Sequence, residues 1–152
     1  IQWLSEFSNL IITRTFSKAY GLAGLRVGYS LCSPLVADYI NRVREPFNVN
    51  YTAQVAAIAA LQDTDYLSES IKVNSDGYKQ LVECFRALQL NFIPSHANFI
   101  AVEFNNPMDI YNALLKEGVI VRPVEMSGYL RVSIGTFEEN EHLITALNQI
   151  LC

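Results

Sequence analysis

The stretch RTFSKAYGLAGLRVGY, residues 14–29, decides the fold because it joins two apolar segments through a polar, glycine-rich loop. Before it, NLIIT (residues 9–13) is a short apolar run typical of a strand that is covered on both faces. At its end, VGYSLC (residues 27–32) predicts a second strand. Lys18, one of four lysines in the chain, is therefore expected at the tip of the first strand, beside a turn built for close backbone approach.

The segments that follow predict further helices and strands. Ser33 and Pro34 give a helix N-cap and first turn, and residues 52–61 and about 65–88 have the composition or the apolar spacing of two more helices. Thr136 and Glu139 form a capping box ahead of a last helix. Between these, the sequence predicts strands at 98–104, 119–122 and 129–134 and a helix at 107–116.

This order predicts an α/β chain in three parts. Residues 1–62 are expected to be the C-terminal remnant of a larger domain, 63–91 a long linking helix, and 92–152 a small α+β domain. The chain begins without Met inside what looks like continuing structure, so we expect it to be a piece of a longer protein.

Composition excludes several classes of protein. A net charge of −4 disfavours a nucleic-acid partner, and no apolar run approaches the ~18 residues that span a bilayer. Cys32, Cys84 and Cys152 are odd in number and lack metal-ligand spacing, which indicates reduced thiols in a cytoplasmic protein. His96 and His142 have no Cys or acidic partner at ligand spacing, so no metal site is expected.

The residues around Lys18 suggest chemistry. A lysine forms a Schiff base with a carbonyl when a pocket desolvates it, and Arg26 offers a forked cation suited to a phosphate dianion. Ser17 and Thr15 add hydroxyl donors. Taken singly, the lysine is an ordinary surface charge and the arginine a salt-bridge partner. The segment also contains Gly21, Gly24 and Gly28. These glycines either make room for a large flat ligand close to the backbone or simply form turns.

These residues carry a family resemblance. SKAYGLAGLRVGY resembles the pyridoxal-phosphate lysine segment of fold-type I aminotransferases. EPFNVNYTAQVAA, SHANFIAVEF, GVIVRP and YLRVSIGT are similar, in order and spacing, to segments of the histidinol-phosphate aminotransferases. The resemblance covers nearly the whole chain and implies the end of a fold-type I large domain followed by the small domain.

The resemblance also implies roles for individual residues. Lys18 would carry the cofactor, pyridoxal 5′-phosphate, and act as the base that moves the substrate proton. Arg26 and Ser17, with Thr15 as a weaker candidate, would bind the cofactor phosphate. The substrate would be bound by Arg131 at its α-carboxylate and by Arg122 at its phosphate, although a solvent-exposed salt bridge remains the alternative for either arginine.

The implied activity is transamination between histidinol phosphate and 2-oxoglutarate in histidine biosynthesis. The expected partners are small amino-acid and keto-acid substrates, with a homodimer for the full-length protein and no activity for the isolated chain. A threonine-phosphate decarboxylase, an aromatic aminotransferase, and a folding or dimerisation module without chemistry remain open alternatives.

Overall fold

The computed structural model describes residues 1–151, which divide into two compact units with the boundary in the chain between Ser70 and Ile71. Cys152, one of the predicted reduced thiols, lies outside the described residues, whereas Cys32 and Cys84 are both free thiols. Each helix within residues 1–151 is too short or too polar to cross a membrane. The same residues contain no group of three or more His, Cys, Asp or Glu side chains that could hold a metal ion.

The first unit contains a two-stranded antiparallel sheet. β1 (Ile12–Thr15) pairs with β2 (Gly28–Leu31), with Ile12 opposite Leu31 and Thr15 opposite Gly28. β2 lies within the strand predicted at 27–32, but β1 starts three residues later than predicted. The expectation that this strand is covered on both faces is wrong for the described chain, because its last three residues are exposed and only one partner strand flanks it.

Two helices follow, and side chains cap both of them. The Ser33 hydroxyl accepts from the Val36 amide at 3.5 Å and starts α1 (Pro34–Val43), as its sequence predicts. Asn50 starts α2 (Tyr51–Gln62), which confirms the helix predicted at 52–61. The small residues of α2 allow close packing, and the buried core of the unit consists of Phe16, Val27, Ala53 and Ala57.

The long helix α3 (Thr64–Ala87) runs through Gly77 without a break. A Cβ at Gly77 would come within 2.7 Å of Asn140 Nδ2 and of Ile134 Cγ2, so the glycine is where another segment approaches the helix closely. Asn140 is 1% exposed and makes three hydrogen bonds, one with Gln80 and two with the backbone of Gly135. This buried amide therefore ties α3 to the start of the last helix.

The second unit packs helices on one face of an antiparallel sheet of order β3-β4-β6-β5. Its remaining elements are β3 (Phe92–Ile93), β4 (Phe99–Glu103), α4 (Pro107–Lys116), β5 (Arg122–Pro123), β6 (Tyr129–Ser133) and α5 (Phe137–Leu151). The core includes Leu81, Val82 and Phe85 of α3. The helix expected to act as a link thus also builds this core, and the division into 1–62, 63–91 and 92–152 stays a prediction.

Most of the predicted elements in this unit form where expected. The capping box is present, since the Thr136 amide donates to Glu139 Oε2 at 2.8 Å and the Glu139 amide donates to Thr136 Oγ1 at 3.3 Å. The strand predicted at 119–122 is reduced to the two residues of β5. Its first residue, Val119, instead closes the preceding helix by donating its amide to the Leu114 carbonyl.

Candidate active site

Three of the predicted phosphate-binding residues lie on one concave surface of the first unit. Thr15, Ser17 and Arg26 line a shallow concavity of about 390 Å³ on the β1–β2 hairpin. The Ser17 amide donates to Thr15 Oγ1 at 3.0 Å, which fixes the turn after β1. The hairpin therefore gathers two hydroxyl groups and a guanidinium within one anion-sized surface.

Arg26 holds an unusual backbone conformation. It ends the short 3-10 turn Ala23–Leu25 with φ 53° and ψ 48°, in the left-handed region. This region costs a side-chain-bearing residue about 1–2 kcal/mol, and residues held there often serve a site. Arg26 Nη1 donates to the Ala23 carbonyl at 2.9 Å. Within residues 1–151 the other guanidinium N–H groups make no protein hydrogen bond, so they remain available to a phosphate.

Lys18 lies in the loop after β1 and is exposed. It follows Ser17 in the chain, but it does not line the concavity itself. Its carbonyl accepts from the Gly21 amide at 2.8 Å, in a turn where Gly21 has φ +70°. The strand ends at Thr15, so the lysine lies three residues beyond the end of the strand and not at its tip, where the sequence predicted it. The described residues do not desolvate this amine.

The three glycines of the segment serve different purposes. Gly21 adopts a positive φ that favours glycine, and a Cβ there would lie 2.8 Å from the Tyr66 hydroxyl. At Gly28 a Cβ would lie 2.6 Å from the Arg14 carbonyl oxygen, so this glycine allows the two strands to approach. At Gly24 a Cβ would meet nothing within 4 Å. The interpretation that all three make room for a flat ligand is therefore not supported at Gly28.

The two predicted substrate arginines face each other in the second unit. Arg122 on β5 is the register partner of Arg131 on β6, and both side chains lie on the sheet face opposite the core. Among the described residues neither guanidinium forms an ion pair or a hydrogen bond. Glu103 shares that face, but its Oε2 accepts from Asn91 at 3.0 Å. Two like charges in direct opposition are unfavourable, so the pair favours an anion.

Arg131 is the more buried member of this pair. Its Cζ lies 4.2 Å from the centre of the Phe99 ring, over the ring face. Its Nε is buried without a hydrogen-bond partner. A buried N–H donor without an acceptor is rare in folded proteins, and functional sites are one place where such donors occur.

The structure thus brings the predicted residues together in two groups. Thr15, Ser17 and Arg26 share one surface in the first unit, and Arg122 and Arg131 share one sheet face in the second. Phe99 was missed by the sequence analysis, because an apolar residue in an apolar strand has the pattern of a core position. Its period-two spacing from Ala101, the register partner of Arg131, is the signal that could have found it.

Comparison with known proteins identifies the family. The model of the family "Aminotransferase class I and II" matches residues 1–147. The chain is 53% identical over 152 residues to a histidinol-phosphate aminotransferase of Methylobacillus flagellatus, covering 98% of this chain and 41% of the relative. It is 54% identical over 155 residues to histidinol-phosphate aminotransferase 2 of Pseudomonas aeruginosa, covering 99% and 42%. The chain thus spans about two fifths of the length of these curated relatives.

Solved structures of related enzymes have the same fold as this chain. The histidinol-phosphate aminotransferase of Sinorhizobium meliloti, in complex with pyridoxal-5′-phosphate, matches with a TM-score of 0.83 and 32% identity over 95% of this chain and 41% of its own. The L-threonine-O-3-phosphate decarboxylase of Porphyromonas gingivalis matches with a TM-score of 0.83 over 97% of this chain and 48% of its own, at 22% identity. The second likeness shows a shared fold alone. The fold class predicted from the sequence is confirmed.

Proposed function

Because the chain belongs to the class I and II aminotransferases, we propose that it carries the lysine strand and small domain of a pyridoxal-phosphate-dependent enzyme that transaminates histidinol phosphate and 2-oxoglutarate. The observation that carries this proposal is the single surface formed by Thr15, Ser17 and Arg26, in which Ser17 directly precedes Lys18 in the chain. The identity to histidinol-phosphate aminotransferases supports the choice of substrate.

The donor set fits the phosphate of pyridoxal phosphate. A dianion needs several N–H and O–H donors and a positive charge, and Arg26, Ser17 and Thr15 supply both from one face of the hairpin. The cofactor, when bound, supplies an electrophilic carbonyl and an electron-withdrawing ring. The part of this chain is to hold the phosphate and to present the Lys18 amine beside it.

Lys18 has two proposed tasks. Its amine is the covalent attachment point for the cofactor, since an amine is the side chain that combines reversibly with a carbonyl. As a free amine it would be the base that takes the proton from the substrate Cα and passes it to the carbon that receives the amino group. Both tasks require the neutral amine, so the exposed lysine must be covered in the working enzyme.

The second cluster is proposed to bind the substrate. Arg131, supported from below by Phe99 and carrying a buried donor, binds the α-carboxylate that all amino-acid and keto-acid substrates share. Arg122 is exposed and faces the same side of the sheet, so it meets a second, distal anion such as a phosphate. A planar guanidinium suits both anions because its N–H groups pair with two oxygens at once.

Lys18→Ala in the full-length protein that contains this chain tests the proposal. It should abolish transamination of histidinol phosphate, whereas Lys116→Ala, which removes a lysine at the end of α4, should leave the rate unchanged. Product formation with 2-oxoglutarate and the visible absorbance of the cofactor report the result. Full turnover by Lys18→Ala would remove the assignment.

Two arginine variants separate cofactor binding from substrate binding. Arg26→Ala should weaken cofactor retention by about tenfold or more, since one charge-assisted hydrogen bond contributes about 1.5–3 kcal/mol. Arg42→Ala is its control, because Arg42 pairs with Asp38 on the surface of α1. If cofactor affinity held while the substrate KM rose, Arg26 would instead bind substrate.

A substrate panel decides between the sister activities. Arg131→Ala should slow every amino-acid substrate, whereas Arg122→Ala should slow phosphorylated substrates most, since it removes the partner of a charged group. Histidinol phosphate, threonine phosphate and phenylalanine form the panel. Equal losses with all three in Arg122→Ala would exclude a phosphate site there and favour an aromatic aminotransferase.

The family resemblance also leads us to propose a cytoplasmic homodimer for the full-length protein. Light scattering and cell fractionation test these two points. We expect the 152-residue chain alone to turn over no substrate, because the described residues leave Lys18 exposed to water. Turnover by the isolated chain with pyridoxal phosphate, glutamate and a keto acid would contradict this.

A further inference from the structure

We propose that Phe99 is a positioning residue, whose ring supports the Arg131 guanidinium so that its N–H edge can receive a substrate carboxylate. The inference rests on the carboxylate-binding role proposed for Arg131 above. It assigns to an apolar strand residue a part in substrate binding that its sequence pattern does not indicate.

The sheet register sets this contact. Ala101 is opposite Arg131, and Phe99 is opposite Ser133, so Phe99 and Arg131 are diagonal neighbours on the same face. The 4.2 Å from the Arg131 Cζ to the ring centre favours a face-to-face arrangement. A guanidinium with one C–N bond aimed at the ring would place that nitrogen ~2.9 Å from the ring centre, which is closer than such atoms pack.

A ring on the face of a guanidinium does not compete with a carboxylate. All five N–H groups of arginine lie in the guanidinium plane, so the face carries no donor that the ring could block. The attraction of the cation to the ring holds the side chain in one place, while its edge stays free for two parallel hydrogen bonds. A lysine ammonium has no such face and could not be supported in this way.

The buried Nε adds to the argument. This donor has no hydrogen-bond partner among the described residues and is already removed from water. Its burial means that part of the guanidinium is already removed from water before an anion binds to the rest of it. An arginine free in solvent would have to be ordered and dehydrated at the moment of binding, which weakens the affinity.

Anion titration of the ¹⁵N-labelled 152-residue chain tests the proposal, with sodium acetate as the probe. The Nε–Hε NMR signal of Arg131, identified by its loss in Arg131→Lys, reports both the ring and the anion. The ring should shift this signal in the free chain, and acetate should move it further. Phe99→Leu, which keeps an apolar side chain without the ring, should abolish the ring shift and weaken acetate binding by about 3- to 30-fold.

Three further variants make the result specific. Phe99→Tyr keeps the ring and should retain acetate affinity within about twofold. Phe137→Leu removes a phenylalanine that is 66% exposed at the start of α5 and should also leave the affinity unchanged. Phe99→Met removes the ring with a different side chain and takes the place of Phe99→Leu if that variant unfolds.

The outcomes separate this inference from the proposed function. Acetate binding of wild-type strength in Phe99→Leu or Phe99→Met would overturn the role of Phe99 alone. An Arg131 signal that acetate does not move in the wild-type chain would overturn the carboxylate role of Arg131, and the inference with it. Loss of the ring shift together with weaker binding, both restored in Phe99→Tyr, would establish the positioning role.

Discussion

Gly28→Ala should open the hairpin that carries the proposed phosphate-binding residues. The new Cβ would lie 2.6 Å from the Arg14 carbonyl oxygen and 3.5 Å from the Thr15 Cα. A backbone oxygen cannot rotate away as the end of a side chain does, so the two strands must separate. Because Gly28 is the register partner of Thr15, the separation falls at the edge of the concavity.

The magnitude follows from two contributions. Overpacking costs about 1–3 kcal/mol. The neighbouring hydrogen bond from the Phe16 amide to the Val27 carbonyl, 3.2 Å long, would be lost at about 1 kcal/mol more. The total of about 2–4 kcal/mol corresponds to roughly 30- to 1000-fold more frequent opening of the hairpin. Hydrogen exchange can report this increase only until the amide exchanges as fast as it does in the unfolded chain.

Hydrogen exchange at the Phe16 amide measures this opening. Gly24→Ala is the matched control, because a Cβ at Gly24 meets nothing within 4 Å and its φ is not in the left-handed region. The control should exchange as the wild type does, or slightly more slowly, since alanine restricts the unfolded chain. Unchanged exchange in Gly28→Ala, or equal acceleration in both variants, would refute the steric argument.

Three further predictions concern the second unit, and urea denaturation measures all of them. Gly77→Ala should lower the free energy of unfolding by about 1–2 kcal/mol, because overpacking outweighs the gain in helix propensity, whereas exposed Ser75→Ala should raise it slightly; a more stable Gly77→Ala would contradict this. Asn140→Leu should cost about 2–4 kcal/mol, since three hydrogen bonds are lost and buried backbone groups remain unpaired; a loss below that range would mean that water replaces the amide. Burial, with the charge of Glu141, raises the pKa of Cys84 above its ordinary 9.0. The unfolded thiol therefore ionises first, and stability present below pH 9 is lost as the pH rises through the folded-state pKa. Cys84→Ser should reduce that fall, and equal pH slopes would count against the assignment.

Local signals predicted the parts of this fold that depend on neighbouring residues. The cap at Ser33 and the capping box at Thr136 and Glu139 form because the partners lie three residues apart, within the reach of one helical turn. Likewise, the spacing between Lys18 and Arg26 is fixed by a short loop. Such contacts need no knowledge of how distant segments pair.

Contacts between residues far apart in the sequence could not be predicted from the sequence alone. Gly77 looks like a weak point in a helix until its approach to Asn140, sixty-three positions later, is known. Phe99 has the pattern of a core residue, and only the register of β4 against β6 brings it under Arg131. A shift of that register by one residue would place the ring on the opposite face. The sequence alone therefore predicts the reactive and charged residues of the site better than it predicts the residues that position them.

The opposed arginines show how charge can concentrate in an acidic chain. The net charge is −4, yet Arg122 and Arg131 face each other without an ion pair in residues 1–151. Described ion pairs instead join Asp38 and Asp76 to basic groups on their own helices. The repulsion between the two guanidinium groups is therefore not offset inside the sheet. An anion bound to either guanidinium relieves this repulsion, and at one hundred times its Kd it would stabilise the folded state by about 2.7 kcal/mol.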